Sequence, residues 1–371
     1  MASESKHSRA GALKSSQLSL ISEAEAAPAA PPAAPPRAAP LEVRGEVVAH
    51  DELAYEPASE EALVHGPRDI YEAFAVFLQV DVAHGGATED TIKAYHREVK
   101  YWVEWCQKHR IAPEKATRRH IEAYREDLKN RGLNVSTRSH KLSIVRRFYE
   151  AALKHELIDV NPAARVNGGK DTTPPEEKMH SFTGDALMSL FNRVPANTLS
   201  GSRDRAIVAL MAIHGLRRVE VHRLNHSDVI VEGDSAHLVV TGKANKVRKV
   251  YLRSDTLSAI ATYANAKKEA GLPTSGALFV AHGNRARGQR LSRRGLNLVV
   301  DLYLSETSLK RAGVSCHALR HTFGTLAVEG GAGLEDLREA MGHSDIESTG
   351  VYARAVARKQ NNPSNFIDVE V

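Results

Sequence analysis

Cysteine is almost absent from this chain: Cys106 and Cys316 are the only two in 371 residues, and they lie far apart. No disulfide framework and no thiolate zinc site can come from such a pair, and the scarcity suits a reducing compartment. Long apolar runs are missing too. Charged residues interrupt each one well short of the roughly 20 residues that cross a bilayer, so no membrane association is expected. The Ser- and Lys-bearing start has no apolar h-region after it, which argues against a secretory signal. No Gly-x-x-x-x-Gly-Lys-Ser/Thr string occurs, so a P-loop for nucleotide phosphates is excluded. No internal repeat is evident. These absences point to a cytoplasmic protein that needs no nucleotide.

Charge is present in both signs but unevenly placed. Residues 1–66 hold five Lys and Arg against ten Asp and Glu, a net charge of −5, which leaves +10 on the rest of a chain whose total is +5. An acidic start therefore precedes a basic body, the electrostatic footprint of a protein that lies along phosphates. From Ala26 to Pro40 nearly every residue is Ala or Pro, which denies the backbone helix hydrogen bonds and buries little surface. Residues 1–66 are expected to form a disordered extension.

From residue 67 to 166 the pattern is helical. An early helix is expected around Ile70 to Val80. Ile92, Tyr95, Val99, Trp102, Val103 and Cys106 then recur at three- and four-residue steps, with Thr88 as N-cap and Glu89 and Asp90 in the first turn. A further helix runs from about Thr117 to a stop at Gly132, and another is expected to be capped by Ser136. That last helix carries Leu142, Val145, Phe148, Tyr149 and Ala152 on one side and Arg138, Lys141, Arg146 and Arg147 on the other. Such a cationic stripe is either a solvated face or a phosphate-binding one. Residues 167–180, with Gly168, Gly169, Pro174 and Pro175, read as a linker. Beyond it, helices are expected at about 204–213, 217–224, 254–270, 293–309, 318–329, 334–341 and 346–354. Strand-like alternation at 237–241 and 247–252 flanks the polar turn Gly242 to Lys246, predicting a β-hairpin.

Chemistry concentrates in a spaced set: Arg217, Lys243, His317, Arg320, His343 and Tyr352. Guanidinium groups present planar forks suited to phosphate oxygens, and two on one phosphate would stabilise the added charge of a pentacoordinate transition state. Lys243, at a hairpin tip, is suited to protonate a departing 5′ oxygen. His317 and His343 are expected to titrate near neutrality and to move protons. Tyr352 is suited to attack as nucleophile. His317 and His321 stand four apart on a helix, yet no carboxylate or cysteine completes a metal site at familiar spacing. Taken singly, each of these residues has an ordinary structural use; the ordered set is what points to phosphodiester cleavage.

The strings Gly215-Leu216-Arg217-Arg218-Val219-Glu220, Thr241-Gly242-Lys243-Ala244-Asn245-Lys246, His317-Ala318-Leu319-Arg320-His321-Thr322-Phe323, Met341-Gly342-His343 and Val351-Tyr352 resemble, in order and spacing, the tyrosine recombinase (phage integrase) family over about Phe182 to Arg354. The resemblance implies that Arg217 and Arg320 clamp phosphate, Lys243 is general acid, His317 and His343 assist proton transfer, Tyr352 is nucleophile and Glu220 orients its neighbours. It implies a mainly α fold with a small β-sheet, arranged as a two-domain C-shaped DNA clamp. The helical core-binding (SAM-like) domain would be 67–166 and the catalytic domain 181–354, with 355–371 a tail that docks on another protomer. Ala244 departs from the glycine usual after the hairpin lysine.

The implied activity is site-specific recombination through a 3′-phosphotyrosyl intermediate and a Holliday junction, for integration, excision, inversion or resolution. No cofactor and no metal are expected. Expected partners are double-stranded DNA carrying specific sites, three further copies in a homotetramer on two sites, and accessory directionality proteins, at the nucleoid. Arg138, Lys141, Arg146, Arg147, Lys246, Arg248 and the stretch from Arg285 to Arg294 are the candidate DNA contacts. Two other readings share the chemistry or the charge: a type IB-like topoisomerase, and a DNA-binding regulator without catalysis.

Overall fold

The computed structural model describes residues 56–242, 246–361 and 367. The Ala/Pro-rich stretch and the hairpin tip with Lys243 lie outside the described residues.

The first part of the described chain is built from helices whose ends follow local capping chemistry. α1 (Glu60–His65) starts at Ser59, whose hydroxyl accepts from Ala62 N, and Ala62 is buried. The extension expected to reach residue 66 is therefore helical over its last stretch, because a capping serine with two acids in the first turn precedes an alanine that packs beside the next helix. α2 (Ile70–Val76) is capped by Asp69 and buries Ile70, Ala73, Phe74 and Val76. α3 (Glu89–Lys108) begins at Thr88 as expected, and α4 (Arg118–Asn130) ends ahead of Gly132, whose φ of 77° only glycine adopts cheaply. α5 (Val135–Lys154) is capped by Asn134, whose side chain accepts from Thr137 N at 2.8 Å. Ser136, the expected cap, instead donates to Asp171 at 3.1 Å.

α5 packs against α2, α3 and α4. Trp102 and Tyr149 anchor the shared core, both fully buried. The indole N–H donates to Tyr149 Oη at 3.0 Å, and that hydroxyl donates to Pro113 O at 2.9 Å, so the two large aromatics are buried with their polar atoms satisfied.

The second part begins with α6 (Gly184–Arg193), capped by Thr183, and α7 (Leu199–Ala212), capped by Thr198. Residues 201–212 of α7 are buried almost without a break, so it has no apolar stripe and runs through the middle of this part. α8 (Arg218–Arg223) follows. β1 (Val229–Glu232), β2 (Ser235–Thr241) and β3 (Val247–Tyr251) form an antiparallel sheet in that order, with His237 opposite Tyr251 and Thr241 opposite Val247. The hairpin of β2 and β3 was expected; β1 was not, although Gly233-Asp234 after a short β-branched run is a two-residue turn signal.

α9 (Ser254–Glu269) and α10 (Arg293–Glu306) complete the core around α7. α11 (His317–Glu329), α12 (Leu334–Met341) and α13 (Glu347–Gln360) close the chain. α13 outruns its expected end at 354. Arg358 pairs with Glu177 at 2.6 Å and Lys359 with Glu329 at 3.4 Å, so residues 355–360 are held on their own chain, not loose as a tail. None of the described helices is long and apolar enough to cross a membrane.

Candidate active site

Arg217 is placed by a turn that tolerates little substitution. Gly215 ends the approach from α7 with φ 64°, and a Cβ there would stand 2.3 Å from the Phe323 ring. The turn buries Leu216 and leaves Arg217 as the residue before α8. Its backbone N–H donates to Glu220 Oε2 at 2.8 Å, a carboxylate three residues into the helix reaching back to satisfy a free amide. The guanidinium donates to Glu220 Oε1 at 2.9 Å, to Met341 O at 3.2 Å and to Gly342 O at 3.1 Å.

Arg320 comes from the first turn of α11 and is only 2 % exposed. It donates to Gly215 O and, at 2.8 Å, to Met341 O. The two arginines, 103 positions apart in the chain, thus meet on one carbonyl oxygen. That oxygen belongs to the carboxyl end of α12, where unpaired carbonyls and the helix dipole concentrate negative charge. Gly342 takes the left-handed conformation there, φ 62°, and turns His343 toward α13.

Tyr352, on α13, is 3 % exposed. Its ring lies against Gly324 of α11, where a Cβ would come within 2.6 Å, and is nearly parallel to the His343 ring at 6.4 Å between centroids. His343 Nδ1 is 2.9 Å from the hydroxyl of buried Thr349. The tyrosine hydroxyl sits 3.2 Å from Nδ1 of His321. From sequence His321 suggests only a metal ligand; its place four residues after His317, one helical turn on, is what brings it to the tyrosine. Of the six expected catalytic residues, Arg217, Arg320, His343 and Tyr352 gather around the ends of α11 and α12, His317 joins them through its ring 5.7 Å from that of His321, and Lys243 falls outside the described residues.

Electrostatics corrects one expectation. Burial, then Arg320 and Arg217, push His343 down to about 4, and burial, then His317 and Arg320, push His321 to about 4. Packed surroundings, then the same two arginines, lower His317 too, although part of it faces solvent. His343 and His321 are therefore neutral at pH 7, because burial disfavours the imidazolium and the cations that would hold a phosphate repel another proton. Burial raises Tyr352, and Arg320 and Arg217 partly offset it. Burial and then Arg217 bring Arg320 down to about 10, which leaves it charged at neutral pH.

His214 and His282 are also held at about 4 by burial. With His321 and His343 that makes four imidazoles depressed from an ordinary 6.5. The unfolded chain binds more protons than the folded one between those values, so stability is complete above about 6.5 and is lost as pH falls toward 4. We expect Tm to drop between pH 7 and pH 5; a flat Tm across that interval would mean the four rings protonate in place.

Most of the expected DNA contacts are committed within the chain. Arg138 donates to Gly168 O at 3.0 Å and to Leu133 O. Arg146 donates to Ala163 O at 3.2 Å and Val166 O at 2.9 Å. Both pin the segments that flank α5, because carbonyls buried outside helices need donors. Lys141 pairs with Glu98, which is 7 % exposed. Arg248 grips Glu220, and within the Arg285–Arg294 stretch Arg290 holds the carbonyls of His222 and Leu224 while Arg293 pairs with Asp90 at 2.6 Å. Arg147 and Lys246 remain at the surface, Arg147 sharing Glu150 at 2.9 Å.

Lys141→Met tests this reassignment. Removing one partner of a buried pair should lower stability by up to about 3 kcal/mol, with Arg97 retaining part of the charge on Glu98. The salt dependence of DNA affinity should not change. A slope smaller by about one would instead make Lys141 a phosphate contact.

Residues 181–359 match the model of the phage integrase family, and residues 76–159 match the phage integrase N-terminal SAM-like domain. The tyrosine recombinase XerC of Natranaerobius thermophilus is 31 % identical over 245 residues, which cover 64 % of this chain and 78 % of that protein. The XerC of Pelotomaculum thermopropionicum is 29 % identical over 299 residues, covering 77 % and 93 %. Among solved structures, the XerH recombinase bound to a palindromic difH substrate shares the fold with a TM-score of 0.63 at 16 % identity, over 79 % of this chain and 82 % of that one. Lambda integrase residues 75–356 bound to DNA do so with a TM-score of 0.59 at 17 % identity, over 82 % and 99 %.

Proposed function

The chain belongs to the phage integrase family, the tyrosine recombinases, which cleave and rejoin DNA, and on that premise we propose how its own residues carry out the exchange. The observation that carries the reading is the meeting of Arg217 and Arg320 on the carbonyl oxygen of Met341, a residue packed in one buried cluster with Tyr352. A scissile phosphate has the acceptor chemistry of that carbonyl and more charge, so it displaces Met341 O and Gly342 O from the two forks. Tyr352 leaves His321 and its oxygen attacks phosphorus. The tyrosine proton passes to a neutral histidine, the phosphorus to 5′-oxygen bond breaks, and Lys243 supplies the proton that the 5′-hydroxyl keeps. A 3′-phosphotyrosyl ester remains. Attack by the 5′-hydroxyl of a second duplex reverses the step and exchanges strands.

Residues 67–166 serve as core-binding domain, 167–180 as linker and 181–354 as catalytic domain, the two domains forming a C-shaped clamp on the duplex. Two sites held by a homotetramer pass through a Holliday junction, with accessory proteins setting direction at the nucleoid. Residues 1–66 lead into this assembly, and the segment beyond Gln360 is the part left to reach another protomer. Arg147 and Lys246 supply surface charge to the backbone of the duplex.

The test begins with genomic DNA of the source organism. Incubation with the full chain, denaturation in SDS and sequencing of covalently attached fragments should return one family of sites, and a nicked duplex of that site should trap the ester. Supercoil relaxation without recombinants would mean a topoisomerase, and no ester at all would mean a regulator. Because the arginine pair provides the charge stabilisation, cleavage is expected to survive excess EDTA at its full rate. Loss of cleavage on chelation, restored by added metal, would overturn a metal-free step.

A further inference from the structure

Arg248 occupies a position that the strand-cleaving chemistry does not itself require. It projects from β3, five residues beyond the proposed general acid, and its side chain is 12 % exposed while that of Glu220 is 1 % exposed. Its two terminal nitrogens donate to both oxygens of Glu220, each at 3.0 Å, and its Nε donates to Ala340 O at 3.1 Å. A Cβ on Gly342 would lie 2.9 Å from Arg248 Nη1. Arg248 therefore lies directly under the turn that precedes His343.

Glu220 is shared. Its Oε1 accepts from Arg217 as well as from Arg248, and its Oε2 accepts from the Arg217 backbone. Consider the charges. Arg217 and Arg320 bring two positive charges to the phosphate, and a buried carboxylate bonded to Arg217 takes one back. A second guanidinium on that carboxylate restores the lost charge and lets Arg217 turn its remaining donors outward. Three successive carbonyls, Ala340, Met341 and Gly342, are meanwhile held by Arg248, by Arg217 with Arg320, and by Arg217.

We infer that Arg248 is a positioning residue for DNA cleavage: by neutralising Glu220 it keeps Arg217 available to the scissile phosphate, and by holding Ala340 it ties the β2–β3 hairpin to the turn that carries His343. This rests on the strand-cleaving reading above. Arg248 touches no reacting atom in it. Its removal leaves Glu220 as an anion with one partner, which then competes with phosphate for Arg217.

The experiment is single-turnover cleavage of the nicked duplex by the full chain, with binding and thermal unfolding measured alongside. Arg248→Met should slow cleavage by roughly 10–100-fold, the range seen when an outer residue that orients a ligand is lost, while DNA affinity and its salt slope stay at parental values. Arg248→Lys, which keeps the charge and loses the fork, should retain more of the rate than Arg248→Met. In a Glu220→Gln background the carboxylate charge is gone and only the Ala340 contact is left to lose, so Arg248→Met should cost a clearly smaller fold-change there than in the parent. That comparison also serves if Arg248→Met is unfolded at the assay temperature, since the double variant strands no buried charge.

A parental rate for folded Arg248→Met overturns the inference. So does an Arg248→Met penalty as large in the Glu220→Gln background as in the parent, which would mean Arg248 acts elsewhere. A reduced salt slope for Arg248→Met would make it a direct phosphate contact, and the inference would fall. If the parent chain forms no ester, the strand-cleaving reading fails and takes this with it; a cleaving parent beside an equally fast Arg248→Met removes this inference alone.

Discussion

Tyr352→Phe is expected to bind its DNA site with parental affinity and salt dependence and to form no covalent adduct under any duration of incubation. The substitution removes one oxygen. The ring contacts with Gly324 and His343 stay, and the only described partner lost is His321 at 3.2 Å. A neutral hydrogen bond of that length contributes about 0.5–1.5 kcal/mol, so the fold should survive with a small change in Tm. The chemical effect is total, since no other described hydroxyl takes its place in this arrangement. The measurement is SDS-resistant protein on a nicked duplex. Any ester formed by this variant would hand the nucleophile to another residue, and the neutral histidines and arginine pair would need a different account.

Tyr352, at 3 % exposure, is covered by the elements packed against α13. That helix is held at its far end by Arg354 and Arg358 on Glu176 and by Arg358 on Glu177, in the segment that joins the helical part to the rest. The Arg358–Glu177 pair is exposed and worth little, while the Glu176 side chain that Arg354 and Arg358 share is only 9 % exposed.

How much of this was legible from residue order depends on the range of the interaction. Helix caps at Thr88 and Thr117 and the stop at Gly132 are local chemistry, and the chain states them directly. The catalytic strings are short and keep their spacing, which is why the gathering of Arg217, Arg320, His343 and Tyr352 could be expected. What lay across from a helix face could not. Arg138, Arg146 and Lys141 share a stripe that looks solvated or DNA-facing, but their partners are carbonyls and a carboxylate 5 to 43 positions away. No periodicity encodes such a pairing. The depressed histidines were missed for the same reason, since their ordinary value holds only until burial and two arginines are added around them. β1 has a turn signal in Gly233-Asp234, but its four residues are too few for alternation to mark a strand.

Arg320→Ala carries the other large expected effect, and it divides into two measurable parts. One part is catalytic: loss of a donor that gains strength only as charge develops on phosphorus should slow cleavage by about 10²–10³-fold. The other is structural. Arg320 satisfies Gly215 O and Met341 O inside the protein, and a buried acceptor left without a donor costs about 1–3 kcal/mol. Arg320→Ala should therefore lower Tm as well as rate. Arg217→Ala removes the equivalent fork from a side chain that is 28 % exposed, so water can replace it on the carbonyls of Met341 and Gly342 and the stability loss should be smaller. The prediction is a dissociation of the two measurements: similar losses of cleavage rate on folded protein, with the greater loss of Tm at Arg320. Equal losses of Tm would mean that Arg217 holds the α12 terminus as firmly as its buried partner does. A cleavage rate untouched at either position would remove that arginine from the phosphate and leave it a structural brace of the Met341 turn.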